Sequence, residues 1–121
     1  MFPGRFLYGK IKHMQINIKA TNLDLTPSIV RYIEEKISSV EKFLEKFEIN
    51  SEIEVFVEIA RTTNHHRKGE VFRAEANMEL PGKVLRADHE DLDVRIAIDK
   101  VKDKLQAEAK KYKSIKSDKR K

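Results

Sequence analysis

The chain has 121 residues, of which 25 are Lys or Arg and 20 are Asp or Glu, and its formal net charge is +5. This length allows one domain with a two-layer core, and a hydrophobic content of 40% favours folding over disorder. The absence of cysteine excludes disulfides, thiol catalysis and cysteine-ligated zinc, and it favours the cytoplasm. No apolar run approaches the roughly 18 residues of a membrane span.

The first half of the chain predicts an extension, a strand and a helix. Residues 1–13 contain proline and glycine without periodicity, which predicts a flexible extension. Residues 14–20 alternate between apolar and polar, as a half-buried strand does. Thr26 and Pro27 then match a helix N-cap and a proline at the first helical position. The helix is predicted to run to about Phe47, with an apolar stripe of Ile29, Ile33, Ile37, Val40, Leu44 and Phe47.

Three strands and a second helix are predicted to follow. Alternation indicates strands at residues 52–61, 70–80 and 83–88, and Pro81-Gly82 fits a type II turn before the last of them. The acidic residues from Asp88 to Asp93 are predicted to open the second helix, because carboxylates stabilise the positive helix end. Its apolar stripe consists of Val94, Ile98, Val101, Leu105, Ala109 and Tyr112.

These elements give the order β-α-β-β-β-α. The economical way to bury their apolar residues is an α+β fold in which a four-stranded sheet carries both helices packed on one face. We assign the domain to residues 14–113 and expect residues 114–121 to form a disordered basic tail.

Positive charge is concentrated in the last helix. Residues 100–121 contain ten Lys or Arg and three acids, a net charge of +7, so the rest of the chain sums to −2. A helical wheel places Lys100, Lys104 and Lys111 on one flank and Lys102 and Lys113 on the other. Such polarity favours a polyanionic partner, with nucleic acid before an anionic membrane. The alternative is that these lysines complement the helix dipole and keep the protein soluble.

The remaining charges suggest which surface binds. Lys36 shares a flank of the first helix with Tyr32 and Phe43, so the basic flanks of the two helices are expected to form a positive channel between them. The outer sheet face is expected to repel nucleic acid, because it would carry Glu52, Glu54, Glu58, Glu75 and Glu79.

The loop that contains His65, His66, Arg67 and Lys68 has three interpretations: a solvated hairpin connection, which is favoured, a basic loop on RNA, and a metal site. Adjacent histidine side chains seldom converge on one metal ion. We also find no glycine-rich phosphate loop and no recognisable catalytic Ser or His, so we predict neither an enzyme nor a cofactor or small-molecule substrate.

Three segments together resemble the ribosome hibernation-promoting factors, also called ribosome-associated inhibitor A or sigma-54 modulation proteins. Residues 14–43 (MQINIKATNLDLTPSIVRYIEEKISSVEKF) are similar to the family's first strand, Leu-Thr-Pro helix start and first helix. The middle of the chain has the family's strand lengths and a glycine-centred turn. Residues 93–113 (DVRIAIDKVKDKLQAEAKKYK) resemble the family's Asp-Met-Tyr-Ala-Ala-Ile-Asp start of a second helix that ends in Lys-x-Lys.

The resemblance implies a short-form member, without the extra C-terminal domain by which long forms pair ribosomes. Such a protein binds the small ribosomal subunit and its rRNA in the decoding region during stress. It competes there with mRNA and with the aminoacyl and peptidyl tRNAs, inhibits translation and protects idle ribosomes. Matching family positions imply RNA contacts for Lys36, Lys104, Lys111 and Lys113. With the charge pattern, the expected RNA-binding set is Arg31, Lys36, Arg67, Lys68, Lys100, Lys102, Lys104, Lys110, Lys111 and Lys113.

The chain departs from the family pattern at three positions. Val30 replaces a frequent arginine, Arg95 replaces the tyrosine of the helix-start motif, and Ala107 replaces an arginine in the middle of the second helix. Contacts cannot be carried over at these positions. Two alternatives therefore stay open: a general double-stranded RNA-binding domain, and a protein-interaction module that uses the acidic sheet face or an edge strand.

Overall fold

The computed structural model describes residues 5–11, 14–44, 53–62 and 71–119, and the side chains of residues 14–44, 53–62 and 71–112. Its elements in chain order are β1 (Arg5–Ile11), β2 (Met14–Thr21), α1 (Pro27–Ser38), a 3-10 segment (Ser39–Phe43), β3 (Ile53–Thr62), β4 (Val71–Leu80), β5 (Lys83–Asp91) and α2 (Val94–Lys119).

The strands form one sheet in the order β1-β2-β3-β4-β5. β2 and β3 are parallel, because α1 connects them as a crossover, whereas all other neighbouring strands are antiparallel. From β2 to α2 the element order is the predicted β-α-β-β-β-α. The α+β fold with both helices on one face of the sheet is therefore confirmed.

One hydrophobic core lies between the sheet and the helices. It joins the inward residues of β2 to β5 with Ile33 and Ile37 of α1 and with Ile98 and Leu105 of α2. The predicted stripe of α1 needs one change, since Val30 is only 3% exposed and belongs to this core. A charged side chain at position 30 would have to be buried in this core, which is costly without a partner, so the position favours an apolar residue.

The strand β1 was missed from the sequence, which predicted a flexible extension over residues 1–13. β1 pairs antiparallel with β2, and the register shifts between Tyr8 and Lys10, around Gly9. Such an irregularity interrupts the alternation by which strands are recognised. The pairing also covers the edge of β2, whose backbone donors and acceptors would otherwise need water. The four predicted strands are thus joined by a fifth.

Both helices differ from their predicted bounds. α1 ends at Ser38 and continues as a 3-10 segment, where Ser39 Oγ donates to the Lys36 carbonyl at 2.6 Å and so competes with helical bonding. The predicted end at Phe47 lies outside the described residues. The acidic residues from Asp88 to Asp93 were predicted to begin α2, but most of them belong to β5, which extends to Asp91.

Asp93 alone caps the second helix. Its Oδ1 accepts from the backbone N–H of Arg95 at 2.8 Å, which satisfies a donor that the helix leaves free. At the other end, α2 continues to Lys119, where the sequence predicted a disordered tail from residue 114.

The turn between β4 and β5 provides a test of backbone strain. Gly82 has φ of +76°, as expected for the third residue of a type II turn, and a Cβ built there would meet no atom within 4 Å. We expect Gly82→Ala to lower the free energy of unfolding by about 1 kcal/mol, because only the backbone conformation is strained. Gly82→Asn should lose less, since asparagine tolerates this region. Urea unfolding that shows Gly82→Ala as stable as the wild type would contradict the assignment.

Candidate nucleic-acid interface

The outer face of the sheet is acidic. Glu58 lies opposite Glu75, and Glu75 lies opposite Asp88 on the next strand. Like charges in this register repel each other. Arg73 offsets part of the repulsion, with Nη2 at 2.7 Å from Asp88 Oδ2 and Nη1 at 3.4 Å from Glu75 Oε1. The hydrogen bond to Asp88 raises the pKa of Arg73. Glu54 and Glu79 face each other in the same way, so the predicted placement of the outer glutamates holds, apart from Glu52, which lies outside the described residues.

On the opposite side, Tyr32 forms the first contact between the helices. Its hydroxyl donates to Asp99 Oδ1 of α2 at 2.6 Å. Two cations lie near its ring: Lys36 Nζ at 5.4 Å and Arg95 Cζ at 5.1 Å from the ring centre. These distances are within the range of cation–π attraction. The hydrogen bond to Asp99, followed by burial, raises the pKa of Tyr32 to about 12, so the phenol keeps its proton at neutral pH.

Phe43 forms the second such contact. Lys42 Nζ of the 3-10 segment lies 5.4 Å from its ring centre, and Lys110 Nζ of α2 lies 5.2 Å from it. The ring is half-buried and packs against the core, which fixes the position of its exposed face. Two lysines from different elements therefore meet at one aromatic ring.

The helix contacts follow one order along both helices. Ser28 contacts Arg95, Tyr32 contacts Asp99, and Phe43 contacts Lys110, so α1 and α2 run in the same direction. We call the cations at this junction the interhelical row, consisting of Arg95, Lys36, Lys42 and Lys110. It runs along the face that points away from the acidic side of the sheet.

Two members of the predicted RNA-binding set belong to this row, Lys36 and Lys110. Lys36 Nζ is 3.7 Å from Asp99 Oδ1, so its charge is partly compensated. Lys102 is half-buried, with Nζ at 3.5 Å from Asp103 Oδ1. The other described members are exposed, namely Arg31, Lys100, Lys104 and Lys111.

The flank of Lys104 faces the sheet edge and not α1. Lys104 Nζ donates to the carbonyl of Asp88 on β5 at 2.6 Å. The helical wheel grouped Lys104 with Lys100 and Lys111, and Lys111 Nζ lies 3.7 Å from Glu108 Oε2 of its own helix. The channel between the helices therefore does not include Lys104, which instead occupies an acceptor on an edge strand.

The RNA-binding set expected from the sequence did not include Lys42 and Arg95. Lys42 lies in the 3-10 segment, which has about three residues per turn, so the spacing of a regular α-helix does not predict which side chains it lies beside. Arg95 contacts Ser28 at a sequence separation of 67, which no local pattern reveals. Arg67, Lys68, His65 and His66 lie outside the described residues, and the side chain of Lys113 is likewise not described.

No described helix has an apolar segment long enough to cross a membrane. Residues 14–44, 53–62 and 71–112 bring together no group of three His, Asp or Glu side chains suited to a metal ion.

The family profile and the individual proteins that resemble this chain are all described as ribosomal or ribosome hibernation proteins. The profile of the family described as "Sigma 54 modulation protein / S30EA ribosomal protein" matches residues 16–116. The chain is 28% identical over 102 residues to a ribosome hibernation promotion factor of Deinococcus radiodurans. The aligned region covers 84% of this chain and 50% of that protein. It is also 28% identical over 100 residues to a ribosome hibernation promoting factor of Pseudomonas putida, covering 83% of this chain and 87% of that protein. The chain thus spans about half the length of the first relative.

Solved structures share the fold. The N-terminal domain of Thermus thermophilus Protein Y superposes with a TM-score of 0.61 at 27% identity, over 80% of this chain and 93% of that one. A ribosomal subunit interface protein from Coxiella burnetii gives a TM-score of 0.57 at 23% identity, over 80% and 97%. At that identity the second likeness concerns the fold alone.

The pKa of Tyr32 predicts a pH dependence of stability. Its ordinary value is 10.0 and its folded value is about 12, so the folded chain holds this proton more tightly. The contribution is complete below about pH 10 and is lost as the pH rises to about 12. We expect the stability advantage of the wild type over Tyr32→Phe to shrink across this window in urea unfolding. Asp99→Asn should weaken the trend, and a constant difference between wild type and Tyr32→Phe would contradict the role given to Asp99.

Proposed function

Because the chain belongs to the Sigma 54 modulation protein / S30EA ribosomal protein family, we propose that it is a ribosome hibernation factor that binds the small ribosomal subunit. It occupies the decoding region, where it excludes mRNA and the aminoacyl and peptidyl tRNAs. Occupation of this region inhibits translation and protects the idle ribosome. The protein acts in the cytoplasm by binding and not by catalysis.

The observation that supports this proposal most strongly is that the helix side and the outer sheet face of the molecule carry opposite charge. The interhelical row presents four cations on one side, and the outer sheet face presents pairs of facing carboxylates on the other. A polyanion is attracted to the first face and repelled by the second, so the charge distribution sets the orientation of binding. Phosphate contacts release counterions, which makes the affinity depend steeply on salt.

The interhelical row is suited to an RNA that is recognised by its shape and its phosphate backbone. A folded RNA exposes phosphates and 2′-hydroxyls more readily than the base edges of its helices. The Tyr32 and Phe43 rings hold neighbouring cations near fixed positions, which lowers the side-chain entropy lost on binding. The groove between parallel helices thus offers fixed positive charges to successive phosphates.

Further contacts are proposed around the row. They are Arg31, Lys100 and Lys111 on the exposed helix surface, the half-buried Lys102, and Arg67, Lys68 and Lys113 from the sequence analysis. Lys104 remains in this set, since an ammonium has three donors and the Asp88 carbonyl takes one of them.

Neutralising three lysines of the row tests the proposal. The variant Lys36→Gln, Lys42→Gln, Lys110→Gln should bind small subunits at least about tenfold more weakly, and its plot of log affinity against log salt should be shallower by about 2 to 3. Glutamine keeps a helix propensity close to that of lysine, so folding should be retained. Co-sedimentation with small subunits over a salt series measures both quantities.

A matched variant controls for net charge. Lys19, Lys83 and Arg86 are exposed on or beside the sheet, and their replacement by glutamine removes the same charge. This control should bind nearly as the wild type does. Equal losses in both variants would contradict the orientation, and no co-sedimentation of the wild type at low salt would contradict ribosome binding.

Competition separates the proposal from its alternatives. Added mRNA and tRNA should displace the wild type from small subunits if it occupies the decoding region. Equal affinity for a generic RNA duplex and for small subunits would instead favour a general double-stranded RNA-binding domain. Binding that survives neutralisation of the row but is lost when the outer glutamates are replaced would favour a protein partner.

A further inference from the structure

Arg95 differs from Lys36 and Lys111 in the side chains that its guanidinium contacts. Its Nη2 donates to Ser28 Oγ at 2.8 Å, and its guanidinium lies 5.1 Å from the centre of the Tyr32 ring. Both partners are electrically neutral at pH 7. Lys36, by contrast, lies 3.7 Å from the carboxylate of Asp99, and Lys111 lies 3.7 Å from that of Glu108. Among the described residues, no carboxylate forms an ion pair with the Arg95 guanidinium; Asp93 accepts only from the backbone N–H of this residue.

The position of Arg95 is fixed from three sides. Asp93 caps the first turn of α2 and so sets the backbone at residue 95. Tyr32 supplies a ring face, and its own orientation is held by the hydrogen bond to Asp99 at 2.6 Å. Ser28 holds one end of the guanidinium from the start of α1. An arginine ordered in this way loses little side-chain entropy when it binds a ligand.

The chemistry of the free donors selects the ligand. A guanidinium carries five N–H donors in a rigid plane, and the contact with Ser28 occupies one of them. The remaining fork matches two oxygens of a phosphate, which it binds through parallel charge-assisted bonds. Lys36 lies beside the same ring and adds a second cation to the cluster.

We propose that Arg95 is a phosphate-binding residue for RNA, held ready by Tyr32 and Ser28, and that it anchors one backbone phosphate at the start of the interhelical row. This inference rests on the proposed function for the identity of the RNA, but the site itself requires only a backbone phosphate. It assigns an RNA contact to a position where the sequence resemblance offered none.

Arg95→Gln tests the inference by removing the charge. We expect about tenfold weaker binding to small subunits, and a salt dependence shallower by about 0.7 to 0.9 in log–log slope, the value for one phosphate contact. Arg95→Lys should restore the slope but only part of the affinity, because lysine keeps the charge and loses the planar fork. A purely structural role would leave the slope unchanged in both variants.

Two further variants separate positioning from charge. Tyr32→Leu removes the ring under Arg95 but no charge, so it should weaken binding while the slope stays near that of the wild type. Arg86→Gln removes an exposed arginine from β5, outside the interhelical row. The affinity of this variant should stay within about twofold of the wild type, and its salt-dependence slope should be unchanged within experimental error. Equal losses for Arg86→Gln and Arg95→Gln would overturn the inference.

The same measurements on a short RNA hairpin separate this inference from the proposed function. If the wild type binds small subunits and Arg95→Gln matches it in affinity and slope, the phosphate site is overturned and the proposed function stands. In the converse case the wild type fails to bind small subunits but binds the hairpin, and Arg95→Gln lowers the salt-dependence slope of hairpin binding by the value for one phosphate contact. The proposed function then fails and the phosphate site stands. Thermal unfolding of each variant checks that the fold is retained.

Discussion

The burial of one face of the sheet beneath two parallel helices is the constraint from which the other features follow. Strict alternation along β3 sends Val55 and Val57 into the core and leaves Glu54 and Glu58 on the outer face. The helices must cover the inward side, so their polar flanks form the opposite surface of the molecule. The separation of charge between the two surfaces is thus a product of packing geometry.

Aromatic rings convert this packing into an ordered charge pattern. Tyr32 and Phe43 lie where α1 and the 3-10 segment meet α2, partly buried and partly exposed. Each ring attracts cations from both sides of the junction and so positions their charges, and a ring does not neutralise them as the Asp99 carboxylate partly does for Lys36. Ion pairs would also order these side chains but would weaken attraction to phosphate. A surface that must bind a polyanion therefore gains from rings in place of carboxylates.

The sequence predicted the elements of the fold more completely than the contacts between them. Alternation and apolar stripes identified four strands and two helices, since these signals depend on neighbouring residues. The strand β1 escaped notice because its pairing is irregular around Gly9. The contacts around the helices were less predictable, because pairs distant in sequence decide them: Lys104 bonds to Asp88 of β5, and Arg95 bonds to Ser28 of α1. Wheel arithmetic also assumed a regular helix through Lys42, which lies in a 3-10 segment.

The orientation of the protein on the small subunit is the central claim, and directed cleavage of rRNA tests it. The chain has no cysteine, so single cysteines can carry a tethered iron probe that generates hydroxyl radicals. Ala107→Cys places the probe on the exposed surface of α2, and Glu79→Cys places it on the outer face of β4. We predict strong cleavage of decoding-region rRNA from position 107 and weak cleavage from position 79. Stronger cleavage from position 79 would contradict this orientation.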